Sequence, residues 1–122
     1  MPRGPLPHRP RSGDDGLAAA VERVGDRWSL LLAAVLLGGP LRFNDLLERL
    51  PGLSPNILSA RLKHLEGVGL LVARPYSERP PRFEYQLTAR GAALGDALAA
   101  LARWGAELDG AEQGGAEELE FL

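Results

Sequence analysis

Leu53-Ser54-Pro55-Asn56-Ile57-Leu58-Ser59-Ala60-Arg61-Leu62-Lys63-His64-Leu65-Glu66 decides how the rest of the chain is read. Ser54 suits a helix N-cap, because its hydroxyl can accept from an unpaired amide of the first turn. Pro55 fits the first helical position, where its missing N–H is not needed. Leu58, Leu62 and Leu65 recur at i, i+4, i+7 and make one apolar stripe. At about 100° per residue, Asn56, Ala60 and Lys63 project on the far side, with Ser59 at its edge. A buried helix with an amide, a hydroxyl and an ammonium on its free face suits a DNA major groove. There amides and hydroxyls pair with base edges, and Lys meets guanine or phosphate. The same groups would also make an ordinary solvated face, and this helix alone does not separate the two.

Its neighbours separate them. Upstream, Phe43, Leu46, Leu47 and Leu50 sit at i, i+3, i+4, i+7, and Pro51-Gly52 breaks the run. Two short helices joined by a tight turn containing Gly, the second with a polar outer face, form the helix-turn-helix pattern. Leu41-Arg42 reads as a short extended link ahead of it. Downstream, Gly69 ends the second helix. Residues 70–76 and 82–87 then read as two antiparallel strands with a Pro-rich connection. Phe83, Tyr85 and Leu87 alternate with Arg82, Glu84 and Gln86, the mark of a half-buried strand. A hairpin directly after a helix-turn-helix is a wing. Its prolines stiffen the tip and cannot pair as central strand residues, so Arg79 and Arg82 are expected to face outward toward DNA backbone or minor groove.

The outer parts of the chain read as helices and tails. Asp14 or Asp15 can cap a first helix carrying Leu17, Ala20, Val21 and Val24, which Gly25 ends. Asp26 can cap a second, with Trp28, Leu31, Leu32, Val35 and Leu36 at helical spacing. Leu30 and Leu37 widen that stripe, so this helix is expected to be buried on most sides. Thr88 caps a long last helix, running to about residue 109, with Leu94, Leu98, Leu101 and Leu108 on one stripe and Trp104 on its flank. The first and last helices each keep an apolar face beyond the compact unit. The pattern therefore predicts dimerisation through Leu17, Val21, Leu98, Leu101, Trp104 and Leu108; packing back on the same chain is the alternative. Residues 1–13 read as a disordered, basic, Pro-rich arm and 110–122 as an acidic disordered tail, which leaves 14–109 as the folded domain.

At 122 residues the chain is long enough for one core. It has no cysteine. That excludes a disulfide framework, a Cys-based zinc site, a thiol nucleophile and a thiol switch. No apolar run approaches the roughly 18–20 residues of a membrane span, and no secretory signal is visible, so a cytoplasmic protein is expected. Net charge is −2, yet it is unevenly spread. Residues 54–90 hold six basic side chains against three acidic ones, whereas residues 91–122 hold only Arg103 against seven acids. DNA responds to the field of one face rather than to the net charge. His8 in the arm and His64 on the helix flank are the only histidines. With no metal-ligand spacing, phosphate-binding glycine loop or Ser/His/Asp set, neither an enzyme nor a cofactor is expected.

Several segments together resemble the HxlR-type family of bacterial winged-helix transcription regulators. They are Gly25-Asp26-Arg27-Trp28, Gly39-Pro40-Leu41-Arg42-Phe43, Leu50-Pro51-Gly52-Leu53-Ser54 and Leu65-Glu66-Gly67-Val68-Gly69-Leu70, followed by Pro80-Pro81-Arg82-Phe83-Glu84-Tyr85-Gln86-Leu87-Thr88 and Trp104-Gly105. The likeness runs from about residue 15 to residue 109, in the family's order and spacing. It implies a homodimer joined through its terminal helices, DNA binding by the helix of residues 54–66 and the wing, and regulation of nearby genes, usually by repression. Several members carry a cysteine just before the first helix; here Asp15 stands near that place, so thiol sensing is excluded. A small-molecule effector would need another route, and no residue pattern argues for a pocket.

The expectation is thus a mainly α protein with a small β-hairpin, a winged helix-turn-helix that dimerises through its terminal helices. Its partners would be double-stranded DNA and a second copy of itself, with no membrane. Asn56 and Ser59 would read base edges, Lys63 a base or a phosphate. Ser54 and Pro55 at the helix start, Arg42, Arg79 and Arg82 would anchor the backbone. The competing reading is a winged helix used for protein–protein contact without DNA, which would be favoured if another segment covered Asn56, Ser59 and Lys63.

Overall fold

The computed structural model describes residues 13–114. Their order is α1 (Gly13–Val24), α2 (Ser29–Leu36), β1 (Leu41–Arg42), α3 (Phe43–Arg49), α4 (Pro55–Gly67), β2 (Leu71–Glu78), β3 (Pro81–Leu87), α5 (Ala89–Ala92) and α6 (Gly95–Gly114). Helices α3 and α4 form the helix-turn-helix, and β2 and β3 the wing. The core is largely leucine: Leu32 of α2, Leu46 of α3, Leu58 and Leu65 of α4 and Leu71 of β2 are fully buried. Trp28, Leu36, Leu53 and Leu62 close around them. Burying each leucine contributes roughly 1.5–3 kcal/mol. The three from α4 therefore fix the roll of that helix about its own axis.

Local chemistry starts and stops the elements much as the residue types suggest. The Asp26 carboxylate accepts from the Trp28 and Ser29 amides at 3.1 and 3.0 Å and from the Ser29 hydroxyl at 2.5 Å. It thereby satisfies amides that no earlier carbonyl reaches at the start of α2. Ser54 accepts from the Ile57 amide at 3.2 Å, with Pro55 as the first helical residue. At the other end of α4, Gly69 has φ +81°, a left-handed conformation that disfavours any residue with a Cβ. The Gly69 amide donates to the Glu66 carbonyl and the Leu70 amide to the Leu65 carbonyl, at 3.0 and 2.9 Å. This is a Schellman stop, sealed by Leu65 and Leu70 in the core. Gly91 answers to a different constraint: a Cβ there would collide with the Leu70 carbonyl oxygen, so only glycine lets α5 cross that close to the end of the α4–β2 link.

The structure corrects five sequence expectations. Leu41-Arg42 is not a link but a strand, β1, which pairs with β3 and gives a three-stranded sheet in the order β1-β3-β2. Two residues are too few to show an alternation, and the pairing is set by tertiary contact. The last helix is divided: Thr88 caps the short α5, accepting from Gly91 N–H at 3.1 Å, and α6 starts afresh at Gly95. Helix α6 continues to Gly114, so residues 110–114, expected in the disordered tail, are helical. At the other terminus α1 begins at Gly13, which puts Asp14 and Asp15 inside its first turn rather than ahead of it. Finally, α2 is not buried on most sides: Leu31 and Ala34, with Leu37 just after the helix, are exposed, because α6 flanks that side across an open groove rather than closing over it. The arm before residue 13 and the tail beyond residue 114 lie outside the described residues.

Candidate nucleic-acid interface

Helix α4 has one face in the core and one in solvent. Leu58, Leu62 and Leu65 are buried, while Asn56, Ser59, Ala60 and Lys63 are all exposed. Ser54 and Pro55, at the start of the helix, are exposed with them. The three polar side chains thus stand on one convex surface that no other described segment covers.

Two side chains of α4 have a different task. Arg61 turns toward the α1–α2 turn and pairs with Asp26 at 3.2 Å. His64 donates through Nε2 to the Arg23 carbonyl oxygen, 2.6 Å away, near the end of α1. These contacts link α4 to the first helix, and a pattern reading along α4 alone does not reveal them. The one available signal was the placement of an arginine and a histidine three residues apart on the flank of the leucine stripe.

The wing lies beyond α4. Arg79 and Arg82 are exposed at its tip, as is Arg74 on β2. The Ser77 hydroxyl donates to the Pro80 carbonyl at 3.0 Å and braces the connection. Proline is accommodated in both strands: Pro75 lies on the edge strand β2, and Pro81 lies where β3 has passed the end of β1. Arg42 sits at the start of α3, where its amide donates to the Asp45 carboxylate at 3.0 Å. Its guanidinium covers the Tyr76 ring at 4.3 Å from the centroid. Arg42 is thus coupled to the wing, and Tyr76 is the residue that sequence reasoning passed over.

The residues expected at a dimer interface occupy two helices. On α1, Leu17 and Val21 are exposed; on α6, Leu101, Trp104 and Leu108 are exposed, Trp104 to 58 %. Leu98 is half-buried, and with Leu101 it faces Leu30 and Leu31 of α2 across an apolar groove of about 420 Å³. None of the six belongs to the buried core. Among the described residues no cluster of three His, Cys, Asp or Glu could hold a metal, and no helix is long and apolar enough to cross a membrane.

Comparison with known proteins agrees with this architecture. Residues 23–113 match the HxlR-like helix-turn-helix family. An uncharacterized HTH-type transcriptional regulator of Methanothermobacter thermautotrophicus is 37 % identical over 97 residues, spanning 76 % of this chain and 74 % of the relative. YvaP of Bacillus subtilis, an uncharacterized HTH-type transcriptional regulator, is 40 % identical over 88 residues, 72 % of this chain and 82 % of its own. Among solved structures, quinone-bound YodB from B. subtilis superposes with a TM-score of 0.65 at 29 % identity, covering 75 % of this chain and 96 % of YodB. With its buried leucine stripe, capped second helix and hairpin wing, the chain belongs to the HxlR-like helix-turn-helix family of DNA-binding transcriptional regulators.

Proposed function

We propose that the chain acts as a homodimeric repressor that reads a near-palindromic operator in the cytoplasm. The observation that carries this reading is the two-faced α4, with Leu58, Leu62 and Leu65 in the core and Asn56, Ser59 and Lys63 in solvent. Two copies of α4 related by a two-fold axis would enter successive major grooves about 34 Å apart. Asn56 and Ser59 read base edges, and Lys63 a base or a phosphate. Ser54 and Pro55 bring the amide end of the helix to the backbone, and Arg42, Arg79 and Arg82 anchor phosphates. The exposed apolar residues of α1 and α6 support the dimer, because helices that keep an apolar face in solvent offer an interaction site. A small-molecule effector would act without a thiol, since the chain has no cysteine.

The test is a titration of DNA from upstream of this protein's own gene against unrelated DNA of equal length, at about 150 mM salt. Specific regulators exceed their own non-specific affinity by about 10³-fold or more. A ratio of that size with one discrete complex is expected. Equal, weak binding to both fragments, together with normal association with another protein through the same face, would replace the DNA reading with protein contact.

A further inference from the structure

A cleft of about 290 Å³ separates the start of α3 from the wing, lined by Arg42, Asn44, Asp45, Tyr76, Arg82 and Phe83. The sheet assembles it. Pairing of β1 with β3 sets Arg42 opposite Glu84. Side chains alternate along a strand, so Arg82, two residues before Glu84, stands on the same face as Arg42. On β2 the register shifts between Pro75 and Ser77, which leaves Tyr76 unpaired. Such a bulge re-aims a side chain, and here the ring meets the Arg42 guanidinium at 4.3 Å.

The charges of the cleft are unequally committed. Asp45 binds the Arg42 amide. Among the described residues neither Arg42 nor Arg82 has a carboxylate within ion-pair distance. A guanidinium stacked on a ring keeps the N–H groups at its edge free, and their fork matches two phosphate oxygens. We infer that Arg42 and Arg82 jointly grip a single DNA backbone phosphate in this cleft, with Tyr76 as the positioning residue that keeps Arg42 aimed. The inference rests on the DNA-binding reading, and it replaces two independent anchors with one shared site.

Counting phosphates tests it. The slope of log affinity against log salt changes by about 0.9 for each phosphate neutralised. Fluorescence anisotropy with a labelled duplex from upstream of the gene, over about 50 to about 200 mM salt, would compare the wild type with Arg42→Ala, Arg82→Ala and the double variant. Each single variant should weaken binding about tenfold, the size of one charge-assisted contact. The double variant should fall well short of the roughly hundredfold expected from independent losses. Its slope should flatten by about 0.9 in total. Tyr76→Leu should weaken binding as Arg42→Ala does, and Tyr76→Phe should restore it, since the ring face alone holds the cation. Additive losses with a slope change of about 1.8 would mean two separate phosphates and would overturn the inference. So would an inert Tyr76→Leu. If an alanine variant does not fold, Arg42→Lys and Arg82→Lys keep the charge without the fork; lower affinity at unchanged slope is then expected, and full affinity would overturn it. Failure of the DNA reading itself looks different, because the wild type would then form no discrete complex at all.

Discussion

Arg61 of α4 reaches across to Asp26 in the α1–α2 turn, with a guanidinium nitrogen 3.2 Å from the carboxylate. The same carboxylate receives the Trp28 and Ser29 amides and the Ser29 hydroxyl. Burial is the largest influence on Asp26 and pushes its carboxyl up. The Ser29 and Trp28 hydrogen bonds and the Arg61 charge outweigh it and hold the carboxyl below its ordinary 3.8. Asp26→Ala should therefore cost about 1–2 kcal/mol at neutral pH. A carboxyl depressed on folding contributes stability above its unfolded value and loses it as pH falls through the folded one. Thermal melts should give a wild-type to Asp26→Ala gap that is constant near neutral pH and closes below about pH 3.8. A gap that persists unchanged in stronger acid would remove the carboxylate from this role.

Glycine substitutions should separate contact from conformation. Gly91→Ala forces a Cβ against the Leu70 carbonyl and should destabilise by about 1–3 kcal/mol or more. Gly110 lies in α6, and a methyl group added there would meet nothing within 4 Å. Gly110→Ala should stabilise by about 0.5–1 kcal/mol, by removing the entropy that glycine loses in a helix. Urea denaturation reads both. Equal shifts in the same direction would contradict the packing at Gly91.

The two faces of α4 should fail differently. Leu58→Ala removes a fully buried side chain and should cost about 2–5 kcal/mol of folding stability. Asn56→Ala should leave stability nearly unchanged but cost roughly 1–3 kcal/mol at one base position and relax choice there. Competition against operator variants measures the second effect. Equal losses across all sequences would take Asn56 out of base reading.

Arg79 offers a contrast with Asn56. It is exposed at the wing tip, and Arg79→Ala should weaken every sequence alike while making the salt slope shallower by about one. A loss confined to one operator sequence would assign it to base edges instead.

Charge on α6 should act on assembly. Leu101→Glu or Trp104→Glu alters a residue already 45 % or 58 % exposed, so circular dichroism and the fold should be preserved. Sedimentation velocity should find monomer, and tight operator binding should be lost with the dimer. A variant that still sediments as a dimer would move the interface elsewhere.

Local chemistry made much of the fold legible. Ser54-Pro55 and Asp26 announce helix starts, Gly69 announces a stop, and the Phe83–Tyr85–Leu87 alternation announces β3. What stayed hidden depends on contacts between distant residues. Strand β1 is two residues long and exists because β3 lies beside it. The break before α6 falls within Ala93-Leu94, residues that favour helix, so propensity carries no sign of it. Within the candidate site, the exposed face of α4 followed from the leucine spacing. The stacking of Arg42 on Tyr76 did not, because a register shift in β2 creates it. The pairings of Arg61 and His64 were likewise invisible without the position of α1.

Strand β1 also has a mechanical consequence. It meets β3 only at Tyr85 and Glu84, so the sheet has three strands at its root and two beyond it. Two-stranded ribbons are only marginally stable by themselves. The wing is therefore a cantilever, clamped at Leu41-Arg42 and held beyond that point by the β2–β3 pairing and the Ser77–Pro80 brace alone. In the DNA-binding reading proposed above, such a beam would hold its base in register with α4 while its tip meets the groove beneath it.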